Sequence, residues 1–488
     1  MALTDQELVR REKLTRLREL GINPYPEKYE VTHTLEEAAK LADGVADVQV
    51  AGRILNIRRF GKLTFIRVSD LLGDLQLALR QDVVGEEVYS VFHSTIDIGD
   101  FIGAKGEMFT TRTGEKTLRI DEYTFLGKAL RPLPEKWHGL TDVEARYRQR
   151  YLDLIMNQET RQRFVLRTKM VSAIRRFLEN EGFLEVETPV LQPKPSGALA
   201  KPFVTHHNAL DIDLYLRIAP ETYLKRLIVG GFTHVFEVAR NFRNEGISPT
   251  HLQDFTMIEG YSAYWNYQDN MQLIKRMLVQ VVKELFGSTE IQIGDHRIDF
   301  SGEWPVKSFR DLLIADAGID INEYPTAADL LAAIEERGIT LEHDNIKALG
   351  KGNLIDLLYK KVSRPKLIQP TFLVGHPIEL SPLARANDED GRITDRFQLL
   401  VNGAEIVNAY SELVDPIEQR KRLEEQARLR SAGDEEAMVM DEDYITAMEY
   451  GMPPISGWGL GIDRLAQVLL NTENIKDCVL FPLMRPVD

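Results

Sequence analysis

The spacing of hydrophobic and polar positions divides the first quarter of the chain into a helix and a set of strands. Residues 4–20 are strongly charged but carry leucines at helical spacing, which predicts a surface helix with one apolar face formed by Leu8, Leu14, Leu17 and Leu20. This helix could pack on its own protein or serve as a nucleic-acid arm. Residues 48–126 show short alternating runs separated by glycines. That pattern predicts a small β-barrel or sandwich.

The rest of the chain has a mixed pattern. Residues 158–180 have apolar positions at helical spacing and predict a long helix. Residues 235–240 and 255–259 predict two strands, and a polar loop of about fourteen residues between strands is long enough to be functional. Residues 308–366 predict a helical insertion, and residues 416–432 an exposed charged helix.

Composition narrows the class of protein. The 488 residues include 43% apolar and 28% charged side chains, which is typical of a soluble globular protein of about three domains. The single cysteine, Cys478, cannot form an internal disulfide, and no apolar run approaches the ~20 residues of a membrane-spanning helix. We therefore expect a cytoplasmic protein without a membrane partner. Because the net charge is −15, a nucleic acid would have to bind a local basic patch.

Nucleotide-binding loops of the common kinds do not occur in the sequence. There is no Walker A pattern, and Gly457, Gly459 and Gly461 lack the spacing and the βαβ context of a dinucleotide-binding loop. These observations disfavour P-loop and Rossmann enzymes.

Three segments resemble a known set of motifs. Residues 183–191 follow the long helix, residues 242–259 contain the two strands and their loop, and residues 459–465 lead into a helix near the C-terminus. In this order they resemble motifs 1, 2 and 3 of class II aminoacyl-tRNA synthetases. From about residue 10 to its end the chain is similar to the lysyl-tRNA synthetases of this class, of bacterial type. Further matching segments are residues 131–134, 144–154, 217–221 and 394–397.

The resemblance implies an α+β multidomain protein. It has an N-terminal OB-fold β-barrel that reads the anticodon and a class II synthetase catalytic domain, an antiparallel sheet flanked by helices. We place an N-terminal helical segment at 1–45, the OB-fold at 46–130, a linker at 131–155 and the catalytic domain at 156–488, with its helical insertion at about 308–366. The prolines after residue 130 suit a stiff linker. A homodimer built through motif 1 is also implied.

The resemblance further implies ATP-dependent activation of L-lysine to lysyl-adenylate and transfer of lysine to tRNA(Lys). Negative charge builds on the phosphoryl oxygens in this reaction, so arginines and Mg²⁺ are the expected stabilisers. Arg243 matches the family's clamp on the α-phosphate and the carboxylate, a role that suits a planar guanidinium. Phe255 and Arg464 would enclose adenine. The implied catalytic residues are Arg243 and Arg464, and the implied ATP-binding residues are Arg243, Glu245, His251, Phe255, Glu405 and Arg464. Without the other motifs, Arg243 and Glu245 could simply pair across an exposed loop.

The implied amino-acid pocket is acidic. By resemblance Glu412 and Tyr261 hold the ε-ammonium group of lysine, Glu221 and Glu259 serve its α-amino end, and Asn408 completes the lysine-binding set. Carboxylates that are buried without a partner are costly, so their convergence in one pocket suits a cationic ligand. The related aspartyl enzymes would need a cationic pocket instead.

The predicted barrel carries a basic and aromatic stretch. Residues 51–67 contain five Lys or Arg and no acid, with two phenylalanines interleaved, as in OB-folds that bind single strands. By resemblance the anticodon-binding residues are Arg59, Phe65, Gln76 and Glu122. The alternative is that Phe65 belongs to the barrel core beside a solvated basic edge.

Two positions depart from the family's pattern. Residues 252–254 are Leu-Gln-Asp where relatives usually have Asn-Pro-Glu, which puts the shape of the motif 2 loop in doubt. Gln398 stands where relatives have a glutamate that binds Mg²⁺ together with the residue here numbered Glu405, and an amide oxygen coordinates a hard cation less strongly than a carboxylate. These departures leave open an alternative function, a non-catalytic tRNA-binding or regulatory paralogue.

Overall fold

A computed structural model describes most of the chain, namely residues 3–71, 73–134, 142–343, 345–431 and 437–486. The chain divides into two compact units, residues 1–162 and 163–488. The predicted linker at 131–155 includes residues 135–141, which lie outside the described residues. The domain bounds given above stay predictions.

The first unit is a β-barrel with accessory helices. Its elements are α1 (Asp5–Glu19), α2 (Leu35–Ala39), β1 (Val48–Phe60), β2 (Leu63–Ser69), β3 (Asp74–Arg80), α3 (Gln81–Val84), α4 (Glu86–Thr95), β4 (Phe101–Thr110), β5 (Lys116–Gly127), α5 (Val143–Arg148) and α6 (Arg150–Met156). The strands close in the order β1-β2-β3-β5-β4. On β2, alternation points Ile66 and Val68 into the core while Phe65 and Arg67 face outwards. The predicted barrel is confirmed.

Helix α1 packs on its own unit. It begins with a capping box formed by Thr4 and Glu7, and it buries Leu17 in the barrel core. The prediction that four leucines form one apolar face was wrong, because Leu8 and Leu20 are exposed. At 3.6 residues per turn, Leu8 lies roughly half a turn away from Leu17, and Leu20 follows the last helical residue.

The second unit is built on a large sheet. Its elements, starting with a helix that crosses from the first unit, are α7 (Gln158–Asn180), β6 (Leu184–Glu185), β7 (Leu191–Gln192), β8 (Val204–His207), β9 (Ile212–Leu216), α8 (Glu221–Val229), β10 (His234–Phe242), β11 (Asp254–Ala263), α9 (Tyr267–Phe286), β12 (Glu290–Ile293), β13 (His296–Asp299), β14 (Val306–Ser308), α10 (Phe309–Ala317), α11 (Ala327–Glu336), α12 (Lys351–Val362), β15 (Thr371–Val374), β16 (Arg396–Val401), β17 (Ala404–Ser411), α13 (Pro416–Ser431), α14 (Glu442–Glu449), β18 (Ile455–Gly461) and α15 (Ile462–Leu469). Short 3₁₀ helices lie at Ile346–Ala348, Arg364–Lys366, Ile378–Leu380 and Ile475–Cys478.

Eight strands form the large sheet in the order β14-β15-β16-β17-β18-β11-β10-β6. Its inner strands are antiparallel, and the two outermost pairs are parallel. Separate small sheets are β12-β13 and β7-β9-β8. The antiparallel catalytic-type sheet expected from the resemblance is therefore present.

Helices cover the large sheet. Residues of α7, α9 and α15 form the main core with the sheet, and α8 contributes to a second core cluster that includes Val235 and Tyr261. Helix α9 starts at a capping box of Asn266 and Asp269 and ends at Gly287, whose φ of 71° is the left-handed conformation that favours glycine. The predicted helix at 158–180 is confirmed, and so is the helix predicted at 416–432 as far as residue 431, after which residue 432 lies outside the described residues.

Two predicted segments differ in extent from the structure. The strands at 235–240 and 255–259 are longer, so the loop between them spans residues 243–253. The insertion is helical as predicted, but residues Val306–Ser308 belong to the sheet because β14 pairs with β15. The helices α10, α11 and α12 then pack around their own apolar core.

Candidate active site

The centre of the large sheet presents one row of side chains to a pair of cavities. Gly459 of β18 pairs with Glu259 of β11 on one side and with Asn408 of β17 on the other. Two residues along, Gly457 pairs in the same way with Tyr261 and with Tyr410. Directly paired residues of neighbouring antiparallel strands face the same side, so these side chains converge above the glycines.

The glycines of β18 make the space for this convergence. A Cβ atom at Gly457 would collide with the ring of Tyr261 and with Oε1 of Glu412. At Gly459 a Cβ would lie 3.2 Å from Cε of Met257. The glycines of β18 therefore form the bottom of the site, and side chains of the neighbouring strands β11 and β17 form its walls.

The first cavity, which we call the acidic cavity, has a volume of about 320 Å³. It brings together all five residues of the predicted lysine-binding set with Arg243. Its lining residues include Glu221, Glu259, Tyr261, Asn408, Glu412, Arg243, Arg396 and Tyr410.

Hydrogen bonds order the acidic side chains. The hydroxyl of Tyr261 donates to Oε2 of Glu259 over 3.3 Å. The hydroxyl of Tyr410 donates to Oε1 and Oε2 of Glu221 over 2.9 and 3.0 Å. Lys225, four residues after Glu221 on α8, donates to Oε1 of Glu221 over 2.6 Å and forms an ion pair with Oε2 of Glu412.

Burial changes the titration of these groups. Removal from water raises the pKa of Glu259 to about 8, and the neighbouring Glu221 adds to the rise. Burial also raises the pKa of Glu412, and the ammonium group of Lys225 opposes that rise. The pKa of Tyr261 is raised by burial and by the surrounding carboxylates. The cavity therefore favours a ligand that carries positive charge.

The second cavity, which we call the loop cavity, has a volume of about 230 Å³ and lies beside loop 243–253. It brings together all six residues of the predicted ATP-binding set, and it shares Arg243, Met257, Asn408 and Gly459 with the acidic cavity. Its lining residues include Arg243, Glu245, His251, Phe255, Glu405 and Arg464.

Two arginines dominate the loop cavity. The guanidinium carbon of Arg243 lies 5.1 Å from the ring centroid of Phe255, and burial lowers the pKa of Arg243. Nη1 of Arg464 donates to the backbone oxygen of Glu405 over 3.2 Å. Asp463 accepts from the backbone N–H of Thr256 over 2.8 Å and so ties the start of α15 to β11. Sequence reasoning missed this role of Asp463.

A β-bulge brings Glu405 to the site. Strict alternation along β17 would place residues 405 and 408 on opposite faces. The register shifts between Leu399 and Leu400 of β16, which leaves Ile406 as an extra residue opposite them. Glu405 and Asn408 consequently both line the loop cavity.

The departure at residues 252–254 is accommodated by hydrogen bonds within the loop. The side-chain amide of Gln253 donates to the backbone oxygens of Glu245 and Gly246 over 3.4 and 3.1 Å. The backbone oxygen of Gln253 accepts from the N–H of Arg243 over 2.8 Å. Asp254 starts β11 and pairs with Arg240. The loop is therefore closed at its base, next to Arg243.

The two predicted metal-binding residues lie in different surroundings. Glu405 lines the loop cavity, whereas Gln398 is buried on β16 beside His376 and is not among the lining residues of either cavity. Within the described ranges, no group of three or more His, Cys, Asp or Glu side chains could hold a metal ion.

A third cavity, which we call the barrel cavity, has a volume of about 570 Å³ and lies on the outer face of the barrel. Phe65 and Gln76 of the predicted anticodon-binding set line it, and Phe65 packs edge-on against Phe60 with 6.1 Å between ring centroids. Phe65 lies outside the barrel core, so the core alternative is wrong. The other two residues of the predicted set, Arg59 and Glu122, do not line this cavity. The guanidinium carbon of Arg59 lies 5.6 Å from the ring centroid of Tyr89, and Glu122 pairs in register with Lys105.

Four charged residues outside the predicted anticodon-binding set also line this cavity, namely Arg58, Arg80, Arg112 and Glu115. Arg58 pairs in register with Phe65, and its Nη2 donates to Oε1 of Gln76 over 3.0 Å. Glu115 also lines the cavity and forms a 2.7 Å ion pair with Arg67. Arg58 and Arg59 are neighbours in sequence, and their side chains point to opposite faces of β1, so only Arg58 lines the cavity.

Comparison with known proteins identifies the family. The model of the class II tRNA synthetases (D, K and N) matches residues 142–485, and that of the OB-fold nucleic acid binding domain matches residues 48–126. The chain therefore belongs to the class II tRNA synthetases of this group.

Relatives with a defined substrate cover nearly the whole chain. The lysine–tRNA ligase of Pelotomaculum thermopropionicum is 50% identical, with 98% of this chain and 94% of that protein covered. The lysine–tRNA ligases of Bacillus cytotoxicus and Thermosipho africanus are 47% and 46% identical and cover 99% and 96% of this chain and 98% and 93% of their own. In the described part of the chain, every helix is too short or too polar to cross a membrane.

Proposed function

We propose that this chain activates L-lysine with ATP to lysyl-adenylate and then transfers lysine to tRNA(Lys). The observation that carries the proposal is the meeting of the acidic cavity and the loop cavity at Arg243. The first offers carboxylates to a cationic amino acid, and the second offers an aromatic ring and arginines to a nucleotide. Lysine, the amino acid in the name of the similar ligases, fits the acidic cavity.

Lysine would lie in the acidic cavity with its carboxylate towards Arg243. Oε1 of Glu412 has no hydrogen-bond partner among the described residues and lies next to the floor at Gly457, where an ε-ammonium group can reach it. Glu259, steadied by Tyr261, suits the α-ammonium group. Asn408 is oriented by Arg396, whose Nε donates to its Oδ1 over 2.8 Å.

ATP would occupy the loop cavity with its adenine near Phe255 and Arg464. The lysine carboxylate attacks the α-phosphorus, a phosphorus–oxygen bond forms, and the bond to pyrophosphate breaks. Negative charge on the phosphoryl oxygens grows as pyrophosphate leaves, and the fixed guanidinium of Arg243 stabilises it without reorganisation. A ribose hydroxyl of the tRNA end then displaces AMP from the acyl group.

Mg²⁺ is the cofactor that we propose for this reaction. When bound, it would supply positive charge that neutralises the phosphates of ATP. Glu405 lines the loop cavity and is the protein carboxylate that fits it, whereas Gln398 would contribute a weaker amide oxygen or none. We therefore propose that ATP carries most of the metal into the site.

The barrel cavity would hold the anticodon. Phe65 offers a stacking surface for an unpaired base, and Arg58, Gln76 and Glu115 offer hydrogen-bonding groups around it. We propose these four residues in place of a set that includes Arg59 and Glu122.

Two further parts of the proposal rest on the resemblance. A homodimer through motif 1 is supported by exposed apolar side chains in and after that segment, among them Leu184, Val190, Leu191 and Val204. The cytoplasmic location stays a prediction from composition.

The decisive experiment is ATP–pyrophosphate exchange with purified protein. Exchange that depends on lysine, and is not supported by aspartate or asparagine, is the expected result. A protein that binds tRNA(Lys) but catalyses no exchange would instead be the non-catalytic paralogue.

A further inference from the structure

Lys225 is a fully buried cation behind the acidic cavity. Its side chain has no exposed area, and it is not among the residues that line the cavity. A buried ammonium group is costly unless it is paired, so its presence next to a binding site for a cation requires an explanation.

The contacts of Lys225 come from every element around it. Its Nζ donates to Glu221 on its own helix and pairs with Glu412, which follows β17. Three phenol rings surround the same nitrogen, with centroids 5.7 to 6.0 Å away. These rings belong to Tyr261 of β11, Tyr410 of β17 and Tyr444 of α14.

These contacts divide the three cavity carboxylates into two kinds. Glu221 is engaged inside the protein, because Lys225 and Tyr410 both donate to it. Glu259 accepts from a neutral phenol, and Oε1 of Glu412 has no hydrogen-bond partner among the described residues. Once Glu259 has released its proton, three negative charges and one positive charge leave a net charge of −2. Lysine offers two ammonium groups to this cavity, while its carboxylate faces Arg243.

We propose that Lys225 is a positioning residue that sets amino-acid specificity by holding the acidic cavity at two uncompensated carboxylates. The inference rests on the proposed function. Lys225 does not touch the substrate; its ammonium group pairs with Oε2 of Glu412, opposes the rise that burial causes in the pKa of Glu412, and fixes the direction of the free oxygen Oε1. The site thereby selects an amino acid with two ammonium groups over a neutral one of similar length.

The direction in which the pKa of Lys225 is shifted agrees with this geometry. Burial alone would lower the pKa of Lys225, but Glu221 and Glu412 raise it above its ordinary value. The ammonium form therefore persists throughout the pH range of an assay. Without it, three buried carboxylates would face one another, and one more of them would take up a proton.

The test compares Lys225→Met, the double variant Lys225→Met with Glu221→Gln, and wild type. The measurement is the KM for lysine in exchange between pH 6.5 and 8. A proton that must leave before lysine binds makes KM fall tenfold per pH unit. In wild type the KM for lysine should fall about tenfold per pH unit, because only Glu259 has to lose a proton. Lys225→Met should show at least a tenfold higher KM at pH 7, little change in kcat and a fall approaching a hundredfold per unit.

The double variant removes one anion with the cation and restores the charge balance. It should regain the wild-type slope of about tenfold per pH unit, which a purely space-filling role of Lys225 would not allow. Lys283→Met, an exposed lysine in the same unit, should match wild type. An unchanged KM in Lys225→Met, or a double variant that keeps the steeper slope of the single one, would overturn the inference.

The wild-type slope keeps the inference testable if Lys225→Met does not fold. A fall near tenfold per pH unit supports it, and a fall near a hundredfold overturns it, because Glu412 would then be protonated despite Lys225. Wild type that shows no lysine-dependent exchange would refute the proposed function, and with it the inference.

Discussion

Trp458 lies directly opposite Gly260 in the pairing of β18 with β11, and its indole fills the space that a side chain at residue 260 would need. Both residues face the core side of the sheet, while their neighbours Glu259 and Gly459 face the acidic cavity. The packing behind the sheet thus supports the floor of the site.

Gly260→Ala should destabilise the protein. The added Cβ would lie 2.5 Å from Cζ2 of Trp458 in a packed core, and overpacking of this kind costs about 1–3 kcal/mol. The measurement is the free energy of unfolding in urea. Gly391→Ala is the matched control because no atom lies within 4 Å of its added Cβ. A double variant with Trp458→Leu should recover part of the loss, and equal stability of both alanine variants would refute the packing argument.

Glu412→Gln should reduce kcat/KM for lysine in exchange. The substitution keeps the shape of the side chain but removes the charge that pairs with the ε-ammonium group. Loss of a buried charged hydrogen bond corresponds to about 2–4 kcal/mol of transition-state stabilisation. Glu303→Gln, at a position that is 99% exposed, controls for loss of a carboxylate elsewhere. Unchanged lysine kinetics in Glu412→Gln would show that the pocket is assigned wrongly.

Glu259 should make the stability of the ligand-free protein depend on pH. Its pKa of about 8 in the folded protein lies above the ordinary value of roughly 4.3, so the folded protein holds a proton that the unfolded chain releases over this window. The contribution of Glu259 to the free energy of unfolding therefore falls as pH rises from about 4.3 to 8. Glu259→Gln removes this loss, so its stability relative to wild type should improve between pH 5 and 8. A constant difference in urea unfolding would contradict the raised pKa.

Phe65→Ala should separate the two units functionally. Loss of base stacking is worth ~1–3 kcal/mol, so the KM for tRNA should rise while tRNA-independent exchange stays nearly intact. Phe101→Ala is the control, because this aromatic residue of β4 packs against Arg53 and does not line the barrel cavity. Equal damage to charging and to exchange would indicate a folding defect instead.

Gln398→Glu should lower the Mg²⁺ concentration that gives half-maximal exchange. Gln398 lines neither cavity, so this prediction rests on the resemblance, which makes residue 398 a metal ligand together with Glu405. A carboxylate there would raise the affinity for the ion, since affinity rises with ligand charge. The KM for lysine should barely move, because Gln398 does not line the acidic cavity. Superimposable Mg²⁺ titrations of the variant and wild type would show that residue 398 is not a ligand.

Motifs in the sequence predict most of the active site because they bring their structural context with them. Arg243 follows a strand and Arg464 lies in the first turn of a helix, and the structure brings both to the loop cavity as expected. Features that depend on the facing of single residues were not predictable. The bulge at Ile406, the choice between Arg58 and Arg59, and the buried pairing of Lys225 all require knowledge of the register or of partners distant in sequence.

The wall shared by the acidic cavity and the loop cavity has a consequence for inhibitor design. A compound that joins an amino-acid-like part to a nucleoside-like part would pass over Arg243, Met257, Asn408 and Gly459 and fill both cavities at once. Once one part is bound, the other is presented at a high effective concentration, so the linked molecule should bind far more tightly than either fragment alone. A stable mimic of lysyl-adenylate, with a short linker that spans the residues shared by the two cavities, is the compound to make first.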